Sequence, residues 1–126
     1  MPEADLFTEK RIHPRIPIKL PVKYRAIEEQ VVLTTARDRK SKDQNSYTVN
    51  VSLGGLYLVT DHIPDLESFL RLEISIPEIH RMITAFTEVV WSNFTGAGLH
   101  FEAIKEEDLE VLYNFLLQKS LNYKTQ

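Results

Sequence analysis

From Ile16 the chain alternates strictly between apolar and polar residues. Ile16, Ile18, Leu20, Val22 and Tyr24 share one face, and Pro17, Lys19, Pro21, Lys23 and Arg25 take the other. A period of two puts successive side chains on opposite sides of an extended backbone, so this stretch predicts a β-strand buried on one side. Its two prolines cannot donate to a sheet ladder, which places them at a strand start or a sheet edge. The same period returns downstream. Leu70, Leu72, Ile74 and Ile76 alternate with Arg71, Glu73 and Ser75 until Pro77 ends the run, and Ala97, Leu99 and Phe101 alternate with Gly98, His100 and Glu102. Tyr47–Val51, Leu56–Thr60 and the β-branched, aromatic stretch Met82–Trp91 also read as strands. Gly54-Gly55, Asp61–Glu67 and Asn93–Gly96 supply turns between them.

The period changes once. Leu109, Leu112, Tyr113, Leu116 and Leu117 fall on one helical stripe. Glu106, Glu107 and Asp108 occupy the first turn, where negative charge suits the helix dipole, and Lys119 stands near the end, where positive charge does. These acids have a sufficient structural role and do not read as a catalytic cluster. About six short antiparallel strands and one C-terminal amphipathic helix predict an all-β barrel capped by that helix. A chain of 126 residues fits one domain: a flexible arm over residues 1–15, then a barrel with its helix over 16–121. Glu28–Ser46 is the least regular stretch. Val31–Ala36 reads either as a strand extension or as a short helix, and Arg37–Asn45 as a polar surface loop.

Several function classes drop out. The chain has no cysteine, which excludes disulfides, thiolate catalysis and zinc sites built on Cys. It has no P-loop, no dinucleotide-binding glycine pattern after a strand and no G-x-S-x-G elbow. His13, His62, His80 and His100 lack metal-ligand spacing, and His100 reads as a surface or rim residue. Ser52 has no base beside it in sequence. The expectation is a chain that is no enzyme and carries no metal and no cofactor. No apolar run approaches the ~18 residues that suggest a membrane span. Met1–Lys10 lacks the apolar core of a signal peptide, so a cytoplasmic location is expected.

The charge is unevenly spread. Lys10, Arg11, Arg15, Lys19, Lys23 and Arg25 fall within residues 10–25 with no acid among them, so the rest of the chain must carry −9 for the total of −3. A net negative chain is a poor general binder of nucleic acid. A cationic segment on an anionic body points to a local anion site instead. A solvated strand face accounts for Lys19, Lys23 and Arg25, but less well for Arg11 and Arg15, which precede the strand.

Two short motifs carry chemical content. Arg11-Ile12-His13-Pro14-Arg15 is an R-x-x-x-R spacing, and Pro14 disfavours helix at His13. Two guanidiniums on such a segment can grip a flat, phosphate-bearing ligand, because arginine forks to phosphate and stacks on bases. The second is Asn50-Val51-Ser52-Leu53-Gly54-Gly55, where a strand runs into a tight turn. Asn50 and Ser52 project to one face while the strand persists. Asn50 offers a donor and an acceptor, as a guanine edge requires, and Ser52 a hydroxyl. Gly55 permits either close backbone approach or a positive φ. The same residues also serve as a simple turn cap.

Taken together, these motifs resemble the signature of the PilZ family, R-x-x-x-R followed by [D/N]-x-S-x-x-G. The likeness continues through Gly55-Leu56-Tyr57-Leu58, Leu70–Pro77, Val89-Val90-Trp91 and Gly98-Leu99-His100-Phe101. It implies a six-stranded antiparallel barrel with a C-terminal helix that binds cyclic di-GMP. Arg11 and Arg15 would clamp the ligand, while Asn50, Ser52 and Gly55 would read guanine edges. Binding would rearrange the arm and signal to a downstream protein, whose identity among flagellar, pilus, exopolysaccharide and transcriptional partners stays open. Many members carry arginine where this chain has Lys10, which keeps the charge without the fork. Whether one ligand or two intercalated ligands are held stays open too. The alternative is a protein-interaction adaptor on the same fold that binds no nucleotide.

Overall fold

A computed structural model describes residues 14–27 and 43–124, with side chains to residue 121. Lys10, Arg11 and the 28–42 connection lie outside the described residues. The strands are β1 (Ile16–Pro17), β2 (Pro21–Ile27), β3 (Gln44–Val51), β4 (Gly55–Val59), β5 (Phe69–Ile76), β6 (Arg81–Ser92) and β7 (Gly96–Ile104), followed by α1 (Glu106–Lys124). A single 3-10 turn, Pro77–Ile79, joins β5 to β6. All pairings are antiparallel. β3 pairs with β2, β2 with β5, β5 with β6, β6 with β7, β7 with β4, and β4 returns to β3. With β1 extending β2 along the same edge of β3, this is a closed six-stranded barrel. Closure leaves no long unpaired edge among the described strands.

The first alternating run is bent rather than continuous. Ile16 pairs with Val51 and Pro17 with Asn50, but Pro21 pairs with Tyr47 and Val22 with Ser46, a slip of one residue. Neither proline can donate to the ladder. Thr48, fully buried, mends the gap: its hydroxyl donates to the Ile18 carbonyl at 2.7 Å and accepts from the Leu20 N–H at 2.9 Å. The inward positions are still those of the alternation: Val22, Tyr24, Leu56, Leu58, Leu70, Leu72, Ile74, Ile76 and Leu99 are buried.

Two expectations need correction. Gln44 and Asn45, assigned above to a loop, begin β3. They pair with Tyr24 and Lys23, and Asp43 meets Arg25 at 3.2 Å. A partner strand imposes extended backbone on residues of low intrinsic strand preference. The helix also buries a different stripe. Leu112, Phe115 and Leu116 are buried against β1 and β6, whereas Tyr113 and Leu117 are 48% and 44% exposed. Residues 111–113 and 115–117 are all apolar, so type alone does not choose the face. Lys119 reaches Glu78 at 2.7 Å and ties the helix to the 3-10 turn.

Candidate ligand-binding site

The strand β3 ends at Val51, and Ser52–Gly55 turns the chain into β4. The turn is held from both sides. The Ser52 N–H donates to the Gly55 carbonyl at 2.8 Å, and the Gly54 N–H donates to the Ser52 hydroxyl at 3.1 Å. That hydroxyl donates to the Gly55 carbonyl at 3.3 Å. Ser52 is only 7% exposed. Since the strand has ended, the alternation that would give Ser52 the face of Asn50 no longer operates, and its hydroxyl is turned into its own turn. Gly55 has no positive φ. Its requirement is close approach: a Cβ there would overlap the Leu99 carbonyl of β7. A Cβ at Gly54 would meet nothing nearer than the Ser52 hydroxyl at 3.9 Å.

Arg15 is exposed at the head of β1, beside Pro17, which pairs with Asn50. Its Nη1 donates to Asn50 Oδ1 at 3.3 Å, so the structure joins the two motifs through their side chains. Asn50 is half-buried, and its carboxamide N–H groups remain as donors. The other described cations of the basic segment have local partners: Lys19 lies over the Tyr47 ring at 4.4 Å, Lys23 stands 3.9 Å from Glu73, and Arg25 is paired with Asp43. Among the described residues Arg15 meets only the neutral Asn50 amide. No acid among the described residues offsets its charge, which can therefore serve an anion.

Pairing carries the site across the outer surface. Asn50 is opposite Tyr57, Tyr57 opposite Gly98, and Gly98 opposite Trp91. Gly98 has no side chain because the Trp91 indole lies over it. Trp91 packs on Tyr57 with ring centroids 5.1 Å apart, and the Tyr57 hydroxyl donates to Asn93 Oδ1 at 3.2 Å. The result is an aromatic shelf beside the Arg15–Asn50 pair. Tyr57 and Trp91 gain this setting, and His100 its place opposite Gly55, only from strand register, which no local pattern specifies. Two surface concavities lie elsewhere, one lined by Lys23, Asn45, Glu73 and Met82, the other by Tyr24, Gln44, Tyr47 and His62. Neither includes a motif residue. Among the described residues no helix is long and apolar enough to cross a membrane, and no group of three or more His, Cys, Asp or Glu gathers as metal ligands would.

A closed six-stranded barrel with a C-terminal helix and an arginine-bearing edge defines a small ligand-binding or adaptor domain. The PilZ domain family model matches residues 9–118, and the chain belongs to that family, a family of cyclic di-GMP receptors. The fold is similar to the Bacillus subtilis inhibitor of motility MotI/DgrA, with a TM-score of 0.64 and 23% identity over 86% of this chain, which spans 49% of that protein. It is also similar to the PilZ domain of CeSA from a cellulose-synthesizing bacterium, with a TM-score of 0.56 and 9% identity over 82% of this chain and 95% of that one. At these identities the two structures speak to fold alone. In sequence the chain is 31% identical over 125 residues to the protein-export protein SecB of Nitrosospira multiformis, covering 97% of this chain and 77% of that protein. That name differs from the family's. The family assignment rests on the PilZ domain model, and the barrel closure and the fold of both structures are consistent with it.

Proposed function

We propose that this domain binds cyclic di-GMP through Arg15 and Asn50, beside the Ser52–Gly55 turn, and passes its occupancy to a partner protein. The observation that supports this most is the exposed Arg15 guanidinium, opposed by no acid among the described residues and held by Asn50 at 3.3 Å. Arginine takes a phosphodiester as a fork, Asn50 can serve a guanine edge, and the Tyr57–Trp91 shelf offers a flat surface on which a base can stack. In this reading Arg11 completes the clamp and Lys10 adds charge. Residues 1–15 are the responsive element. Slower hydrogen exchange at residues 8–16 with ligand present supports that assignment, and equal exchange in both states contradicts it.

Calorimetric titration with cyclic di-GMP tests the reading. Saturable heat that weakens as salt rises, as phosphate contacts do, supports it, and no heat at high ligand concentration defeats it. A fold neighbour that inhibits motility makes flagellar proteins the first partners to try in pulldowns with and without ligand. The second reading is an adaptor that binds no nucleotide. It draws on Phe94, 98% exposed at the tip of the β6–β7 hairpin, and on the likeness to a protein-export protein. It predicts partner capture that cyclic di-GMP does not change and that Phe94→Ala abolishes.

A further inference from the structure

Strand register places His100 across a glycine floor from Arg15. Gly55 pairs with His100, and His100 pairs with Glu88 on β6. Arg15 directly precedes the Ile16–Val51 pair, and the Ser52 N–H donates to the Gly55 carbonyl at 2.8 Å. From Arg15, across the end of β3, the floor therefore runs through the Ser52–Gly55 turn to His100 and Glu88. Arg15 and His100 are three strand spacings apart, about 14 Å. Ser52 has its hydroxyl in the turn and Gly55 has no side chain, so among the described residues neither of them fills the space between Arg15 and His100. Trp91 and Tyr57 border the same floor one row away.

The His100 side chain is 57% exposed, and its Nδ1 lies 3.0 Å from Glu102 Oε2. A carboxylate only accepts, so Nδ1 is the donor in that pair and Nε2 is left for another partner. The charged groups around the imidazole are Glu102 on its own strand and Glu88 on β6, while β4 offers Gly55 and no charge, and Arg15 stands three strand spacings away. We infer that His100 is a further ligand contact, whose Nε2 meets the far side of the anionic nucleotide gripped by Arg15. This rests on the proposed function and adds a consequence to it. Histidine changes charge between about pH 5 and 8, whereas phosphodiesters stay ionised throughout. A protonated Nε2 donates to a ligand oxygen and adds a positive charge, so affinity rises as pH falls.

The test is calorimetry with cyclic di-GMP on the wild type and on His100→Gln, at about pH 6 and about pH 8. His13 is a second histidine, between Arg11 and Arg15, so the difference between wild type and variant isolates His100. The wild type is expected to bind about threefold more tightly at the lower pH, the scale of an exposed charge interaction, with most of that gain lost in His100→Gln. Identical pH profiles in the two proteins overturn the inference while leaving the Arg15 reading standing, which Arg15→Ala checks separately by losing binding at both pH values. A wild type that binds at neither pH removes both.

Discussion

The Ser52–Gly55 turn and the Arg15–Asn50 pair lie side by side at the end of β3, yet the chain holds them by different means. The turn is built into the barrel. Ser52 is buried with both hydroxyl bonds inside the turn, Gly54 accepts from the Phe101 N–H at 2.8 Å, and Gly55 lies against the Leu99 carbonyl. The pair is laid on the surface. Arg15 is exposed, and among the described residues it places one guanidinium nitrogen on a single neutral amide. A motif read as one binding unit is thus two devices. One is a scaffold whose residues are tied to folding, and the other is a cationic handle whose side chain is free to change partner. In the proposed reading the turn would set where the ligand lies, and the handle would supply the attraction.

The largest effect that separates the two is expected at Gly55. Gly55→Val drives a branched side chain into the β7 backbone and should cost about 3 kcal/mol or more of stability, read as a large drop in melting temperature with loss of binding. Gly54→Ala, one residue away in open space, should change stability by less than about 1 kcal/mol. Equal effects at the two glycines would erase the scaffold half of the comparison. Next comes Arg15→Ala. It should lose about 1.5–3 kcal/mol of ligand binding, roughly ten- to a hundredfold in affinity, with the melting temperature unchanged. A fall in melting temperature matching that of a core variant would make Arg15 structural.

Smaller effects sharpen the same division. Ser52→Ala leaves the Gly54 N–H without its acceptor and should cost about 1 kcal/mol of stability, seen by denaturant titration without ligand, with weaker binding following from a looser turn. Asn50→Ala should do the reverse, weakening binding by about 0.5–1.5 kcal/mol as a lost neutral hydrogen bond does, while the melting temperature shifts by no more than a few degrees. If Asn50→Ala destabilises the free domain more than Ser52→Ala, the assignment of the two residues is inverted.

Local physics explains what was legible beforehand. Strand period is a property of neighbouring residues, so the inward face of β5 could be read from Leu70, Leu72, Ile74 and Ile76 alone, and the acids at 106–108 announced the helix start. Features set by a distant partner could not be read. The slip between Pro17 and Pro21 is bridged by Thr48, about thirty residues away in the chain, and the strand identity of Gln44 and Asn45 comes from β2. The helix face depends on what the barrel presents, because Tyr113 and Leu117 are as apolar as the residues that are buried. In the site, residue types were readable and roles were not. Gly55 could have served a positive φ or a close approach until β7 was placed beside it, and His100 and Trp91 meet the motifs only through register.

The central claim, that cyclic di-GMP is bound on the Arg15–Asn50 edge, is tested most directly by nuclear magnetic resonance of the isotope-labelled chain during titration with the ligand. The account predicts saturable shifts at the Arg15 guanidinium, the Asn50 side-chain amide and the Ser52–Gly55 backbone amides, with little change at the buried amides of β5. Tight binding whose shifts cluster on another face, or no shift at Arg15 and Asn50 at saturation, would contradict it.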